Sequence, residues 1–300
     1  MIFRQLVVIV TLFVGFLSVS DASSGTLVLG SVSDNIKKHL VRFEPMAQYL
    51  QDKLSAHGIN DVQITVLPSS DAMAEALRDG SVDLYFDSPL VAAKVARTSE
   101  SEPFLRRWKR GIGSYHSVII VPTDSGIRTV ADLAGKRIAF QEPDSTSGFM
   151  LPAGLLRREG MTLRELPSRA AQPGDDEVGY VFTKDDKNTL AWLYKGWVDA
   201  AATDPQNYEK LARAKPGSVR IIARSIDVPR QVVIRRNGLD EELADHIGSI
   251  LIAMDETASG RSTLKRFNKT TRFDTFPDGI EATFNPIYDL LDQLKAQGVL

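Results

Sequence analysis

Ile138–Pro152, IAFQEPDSTSGFMLP, reads as the end of a strand, a turn and the opening of a helix in one short run. Ile138, Ala139 and Phe140 finish an apolar strand, and Pro143 and Asp144 break it. Ser145, Thr146, Ser147 and Gly148 then supply three hydroxyls and free backbone N–H groups before a helical pattern restarts from Phe149 to Arg158. The first turn of a helix carries unpaired N–H donors and a partial positive charge, so such an entry can hold an anion with neutral donors. Ser145 or Ser147 reads equally well as an ordinary N-cap, because Ser leads the residues that cap helices.

Working outward, the flanking sequence alternates strand and helix. Thr26–Val32 is a buried-strand run ending in the polar Ser33-Asp34-Asn35. Phe43, Met46, Ala47, Leu50 and Leu54 recur at helical spacing, Val62–Leu67 is a second strand, Ser69-Ser70-Asp71 caps a second helix, and Val82–Phe86 is a third strand. That order implies a parallel sheet with right-handed crossovers, whose ligands gather at the carboxyl ends of the strands. Ser33, Ser70 and Asp87 therefore belong to one potential site edge, with Asp87 and Ser88-Pro89 read first as turn residues.

A second unit of the same kind fills the middle of the chain. Tyr115–Val121 is its strongest strand, and Ile127–Gly135 reads as a short helix capped by Thr129. Glu177–Phe182 and Val198–Asp204 are further strands around a helix from Asp186 to Lys195. Val219–Ala223 and Gln231–Arg235 are most economically returned to the first sheet, followed by helices over 240–255, 259–267 and 280–297. The expected architecture is α/β: two lobes, with lobe one at 23–121 and 223–300, lobe two at 122–222, two crossings near Val121 and Ala223, and a cleft between.

Composition narrows the function. A chain of 300 residues, 43% hydrophobic and 25% charged, is long enough for two domains. A formal net charge of -2 leaves no footprint for nucleic acid. The absence of cysteine excludes disulfides, thiol nucleophiles and Cys-ligated zinc, and the four histidines lack metal-ligand spacing, so no metal or cofactor is expected. Met1–Gln5 with Arg4, the apolar run Leu6–Leu17 and the small residues around Ser20-Asp21-Ala22 read as a cleavable signal peptide over 1–22. That predicts an exported periplasmic protein, expected to be a monomer.

The pieces FEPMAQYLQDKL, ALRDGSVDLYF, YHSVIIVP, DLAGKRIAFQEPDSTSGFMLP, WVDAAATDPQNYEKL and GRSTLKRFNKT resemble the phosphonate, phosphite and phosphate substrate-binding proteins of bacterial ABC importers, across essentially the whole mature region. The resemblance implies a type II periplasmic-binding clamshell that captures a small oxyanion and delivers it to an inner-membrane permease. It also implies that Ser145, Thr146 and Ser147 bind phosphoryl oxygens and that Tyr115 donates its phenol. Other pocket positions depart from the pattern. Asp186 stands where the family has a His, Ser70 where it has a Tyr, and Arg230 where some relatives have an Asp, while Asp204 keeps its place.

A carboxylate facing a dianion is repulsive unless it meets a proton or an ammonium group. The ligand is thus either a phosphate- or phosphonate-like anion or a zwitterion whose cationic tail meets Asp186 or Asp204. Arg230 can alternatively pair with one of these carboxylates, and Asp204 can cap the helix that starts at Pro205. A periplasmic sensor docking to a membrane signalling protein would use the same cleft. Catalysis is not expected, because no Ser has a recognisable His base and no nucleophile elbow occurs.

Overall fold

Leu27 and Leu29 are fully buried, and a Cβ on Gly30 would lie 2.7 Å from Val82 Cγ1, so the first strand can only sit in the middle of a sheet. The computed structural model describes residues 25–300, and the expected signal peptide lies outside the described residues. In chain order the elements are β1 (Gly25–Val32), α1 (Ile36–Leu54), β2 (Ile59–Leu67), α2 (Ser70–Arg78), β3 (Leu84–Asp87), α3 (Pro89–Ser99), β4 (Glu102–Lys109) and β5 (Ser114–Tyr115). Then come β6 (Val118–Pro122), β7 (Arg137–Phe140), α4 (Leu151–Arg158), β8 (Thr162–Glu165), β9 (Glu177–Phe182), α5 (Asp186–Tyr194), β10 (Ala200–Thr203), α6 (Pro205–Ala214) and β11 (Val219–Arg224). β12 (Val228–Pro229), β13 (Val232–Arg235), α7 (Glu241–Ile252), α8 (Ala258–Arg266), β14 (Thr270–Asp274) and α9 (Ile280–Ala296) complete the chain.

Two six-stranded sheets result, with the strand orders β14-β4-β13-β3-β1-β2 and β11-β6-β10-β7-β9-β8. Each has a parallel core, β2-β1-β3 in lobe one and β8-β9-β7-β10 in lobe two. Antiparallel strands flank both cores. The two-lobed α/β architecture expected from the sequence is the one observed. Among the described residues no helix is long and apolar enough to cross a membrane.

The crossings differ from the expected positions. Tyr115 and Val118 belong to different sheets, because β5 pairs with β12 whereas β6 pairs with β10 and β11 inside lobe two. The chain therefore changes lobe at 116–117 and returns at 225–227, not at Val121 and Ala223. The two crossings are laced together: Ser117 N donates to Ser225 Oγ at 2.9 Å, and Ser225 N donates to Ser117 O at 3.0 Å. Asp87 ends β3, and Ser88-Pro89 opens α3 with the proline in its first turn. The helix expected over 127–135 is reduced to a 3₁₀ turn, Ala131–Leu133, and the Asp132 carboxylate, not Thr129, accepts the backbone N–H bonds there.

The carboxy-terminal α9 packs on α3 of lobe one and on α4 of lobe two. Arg97 pairs with Asp292, and Arg157 Nε donates to Gln297 Oε1 at 2.7 Å. Gly154 admits Leu290, which a Cβ there would meet at 2.3 Å. One apolar cluster consequently runs from Met73 and Tyr85 in lobe one through Leu290 to Phe140 and Phe149 in lobe two.

Candidate binding site at the interlobe seam

The chain enters α4 through a single π-helical turn, Thr146–Met150. Ser145 caps it: its Oγ accepts from Gly148 N at 3.0 Å and donates to Gln141 Oε1 at 2.8 Å, so this hydroxyl is spent within the loop. Of the expected triplet, Ser145 is thus the capping residue. The wide turn directs Thr146 inward, where it is 2% exposed and its Oγ1 has no hydrogen-bond partner among the described residues. Ser147 is tied to the lobe crossing, its carbonyl accepting from Ser117 Oγ at 2.6 Å. The turn also contacts α3 of lobe one, which places it at the seam between the lobes.

The Tyr115 phenol meets this turn. The ring is 6% exposed, and its hydroxyl faces the side chains of Ser147 and Thr146 without satisfying Thr146 Oγ1. Burial raises its pKa, with Arg230 and Ser147 pulling the other way, so it stands as a neutral donor. Arg230 is fixed because its backbone N donates to Gly113 O at 2.7 Å, and its guanidinium carbon lies 4.3 Å from the centre of the Tyr115 ring.

Arg230 Nη2 is 3.8 Å from Asp204 Oδ2, the ion pair that the sequence left open as an alternative. Asp204 also caps α6, its Oδ1 accepting from Asn207 N at 2.8 Å. Asp186, in the first turn of α5, lies beside this pair. Burial raises its pKa and Asp204 adds to the rise, while the Asn207 side chain and Arg230 oppose it. Further out, burial raises the Glu142 pKa, reinforced by Asp144 and Asp186 of lobe two and Asp34 of lobe one. The mouth of the seam is acidic and its floor is lined by neutral donors and one guanidinium.

The structure therefore gathers Tyr115, Thr146, Ser147, Arg230, Asp204 and Asp186. Ser70, buried at the first position of α2 behind the N-cap Ser69, enters none of the hydrogen bonds or ion pairs that tie this group among the described residues. Thr203 is an unanticipated member. It is fully buried at the end of β10 beside the π turn, and its Oγ1 lacks a partner among the described residues. Its one sequence signal is its place directly before Asp204. No cluster of three His, Asp or Glu side chains able to hold a metal ion occurs among the described residues.

A buried, unpaired Thr146 hydroxyl facing a phenol that carries a guanidinium over its ring suits a bound oxyanion, since buried polar groups left unpaired are costly. The paired carboxylates alongside suit an ammonium group.

Known proteins are similar to this chain over most of its length. The sequence profile described as ABC transporter, phosphonate, periplasmic substrate-binding protein matches residues 29–278. The Phosphonates-binding periplasmic protein of Escherichia coli (strain K12) is 25% identical over 256 residues, covering 82% of this chain and 71% of that one. A Xanthomonas citri protein, solved with chloride ion and with ATP, is 26% identical with a TM-score of 0.80 in both structures; 91% and 92% of this chain and 98% of that one are covered. PhnD1 of Prochlorococcus marinus, solved with methylphosphonate, shares the fold at 17% identity and a TM-score of 0.62, covering 90% of this chain and 98% of that one. The chain belongs to the family of phosphonate periplasmic substrate-binding proteins of ABC transporters.

Proposed function

We propose that this protein is a periplasmic receptor that closes its two lobes on a small phosphate- or phosphonate-like oxyanion and presents the closed form to an inner-membrane ABC permease. The observation that carries the reading is the unpaired, buried Thr146 Oγ1 facing the Tyr115 phenol at the seam, with Arg230 over the same ring. Neutral donors suffice for a dehydrated oxyanion, because hydrogen bonds to a charged group contribute roughly 1.5–3 kcal/mol each. The relative from Escherichia coli is named for binding phosphonates, which supports the ligand class. The family consists of substrate-binding components, which supports binding rather than catalysis.

Asp186 and Asp204 favour a second feature. One guanidinium at 3.8 Å does not neutralise two neighbouring carboxylates, so an ammonium tail on the ligand completes the charge balance. A thermal-shift panel of phosphate, phosphite, sulfate, alkylphosphonates, aminoalkylphosphonates, phosphate esters and carboxylate zwitterions tests both parts. A shift with phosphorus oxyanions, largest for aminoalkyl members, is expected. A shift confined to carboxylate zwitterions overturns the oxyanion reading.

A further inference from the structure

A cluster of cations lies inside lobe one. Arg42, Arg107 and Lys109 line a cavity of about 230 Å³ together with Ser31, His39, Asp87, Gln231 and Asn268. Arg107 is 2% exposed, and its Nε has no hydrogen-bond partner among the described residues. Its other nitrogens reach only neutral acceptors: Nη2 donates to Gln231 Oε1, and Nη1 donates to Thr270 Oγ1 at 3.2 Å. The guanidinium also lies over the Phe267 ring at 5.1 Å. Among the described residues none of these three cations has a carboxylate within 4.0 Å.

The one carboxylate on the cavity wall is already engaged. Asp87 accepts from Tyr85 Oη at 2.5 Å and from Ser88 N at 2.6 Å, and burial raises its pKa. His39 Nδ1 is 2.7 Å from Ser31 Oγ, and burial and Arg42 lower its pKa, so the ring adds no fixed charge. Three cations thus surround a cavity with one carboxylate, where a buried charge ordinarily has a counter-ion.

We propose that this lobe-one pocket is a second oxyanion site, taking a sulfate- or phosphate-sized dianion on Arg107 Nε, Lys109 and Arg42, with Gln231 and Asn268 as neutral wall groups. The pocket is lined by residues other than those gathered at the seam, although Arg230 of the seam lies close enough to act on both Arg107 and Lys109. Burial, and then Arg107 and Arg230, depress the Lys109 pKa to about 7, and the single carboxylate of Asp87 opposes them without restoring it.

Crystals of the full chain soaked in sodium selenate, with anomalous difference maps, test the location, and sulfate titration calorimetry tests the energetics. The expected result is a peak beside Arg107 Nε that persists in Thr146→Val and disappears in Arg42→Gln/Lys109→Gln. Sulfate affinity in that double variant should fall by about tenfold or more. Should the double variant fail to fold, Lys109→Gln alone carries the same expectation. Absence of a peak from the wild-type pocket, or unchanged affinity in the folded variant, overturns the proposal.

Discussion

Arg230 lies over the ring of Tyr115, with 4.3 Å between the guanidinium carbon and the ring centre, although the two residues come from separate crossings of the chain between the lobes. Tyr115 is on β5 and Arg230 directly follows β12, and among the described residues those short strands pair only with each other. The hinge ribbon therefore carries both the phenol and the cation that face the π turn of lobe two. In the proposed receptor, closure and ligand contact run through the same few residues.

Tyr115→Phe removes one donor and leaves the ring under Arg230, so ligand affinity should drop by about tenfold with little change in ligand-free stability. Arg230→Gln should cost at least as much affinity, because it also releases Asp204 from its cation. Calorimetric titration of both variants checks the order.

Asp186→Asn should stabilise the ligand-free protein at pH 7. The raised pKa means that the folded state disfavours the carboxylate, a cost fully present above the folded pKa and lost as pH falls toward the ordinary value of 3.8. The gain from the variant should shrink in acid, as melting curves at pH 7 and pH 4 will show. The same variant should weaken aminoalkyl ligands more than plain phosphate, and equal losses would count against an ammonium at this carboxylate.

Lys109 gives the opposite profile. Its depressed pKa means that the folded state resists its charge, so the cost is full below about 7 and fades as pH rises toward 10.5. Arg107, Arg230 and Arg110 push that pKa down, Asp87 pushes it up, and Arg42 and His39 share the cavity wall. Lys109→Met should therefore raise the melting temperature more at pH 6 than at pH 9.5. A gain that does not depend on pH would contradict this.

Gly260→Ala should destabilise by about 1–3 kcal/mol, because overpacking against fixed backbone cannot relax. A Cβ there would lie 2.0 Å from Met254 O, and Gly260 N donates to the capping Thr257 Oγ1 at 3.0 Å. Urea denaturation measures the loss. This glycine opens the GRSTLKRFNKT segment that helped carry the family resemblance.

The parallel core of each lobe is legible in the sequence because its strands are short apolar runs bounded by capped helices, as at Leu27–Leu29 and Ile138–Phe140. α3 is not legible, since Ser88-Pro89 has turn chemistry and the apolar residues Leu90, Val91, Ala92, Ala93, Val95 and Ala96 are buried with little periodicity. β4 is hidden by Arg106, Arg107 and Lys109, charges that a strand pattern argues against. The run from Tyr115 to Val121 looks like one strand, because nothing local marks a change of sheet at His116-Ser117.

The side chains that the structure brings together at the seam were legible as a group where a hydroxyl or charge ends an element, namely Tyr115, Thr146, Ser147, Asp186, Asp204 and Arg230, and their part in binding rests on the proposed function. Ser145 looked identical to its neighbours until the loop showed its hydroxyl spent on Gln141 and Gly148. Arg42, Arg107 and Lys109 could not be grouped beforehand, because α1 and β4 come together only through packing around Phe43 and Phe267.

Binding isotherms of the most stabilising phosphorus oxyanion against wild type and Thr146→Val/Ser147→Ala test the central claim most directly. The oxyanion-bearing seam predicts affinity reduced about tenfold or more in the variant, with its ligand-free melting temperature held or raised because an unpaired buried hydroxyl has become a methyl group. Equal affinity in the two proteins would contradict it.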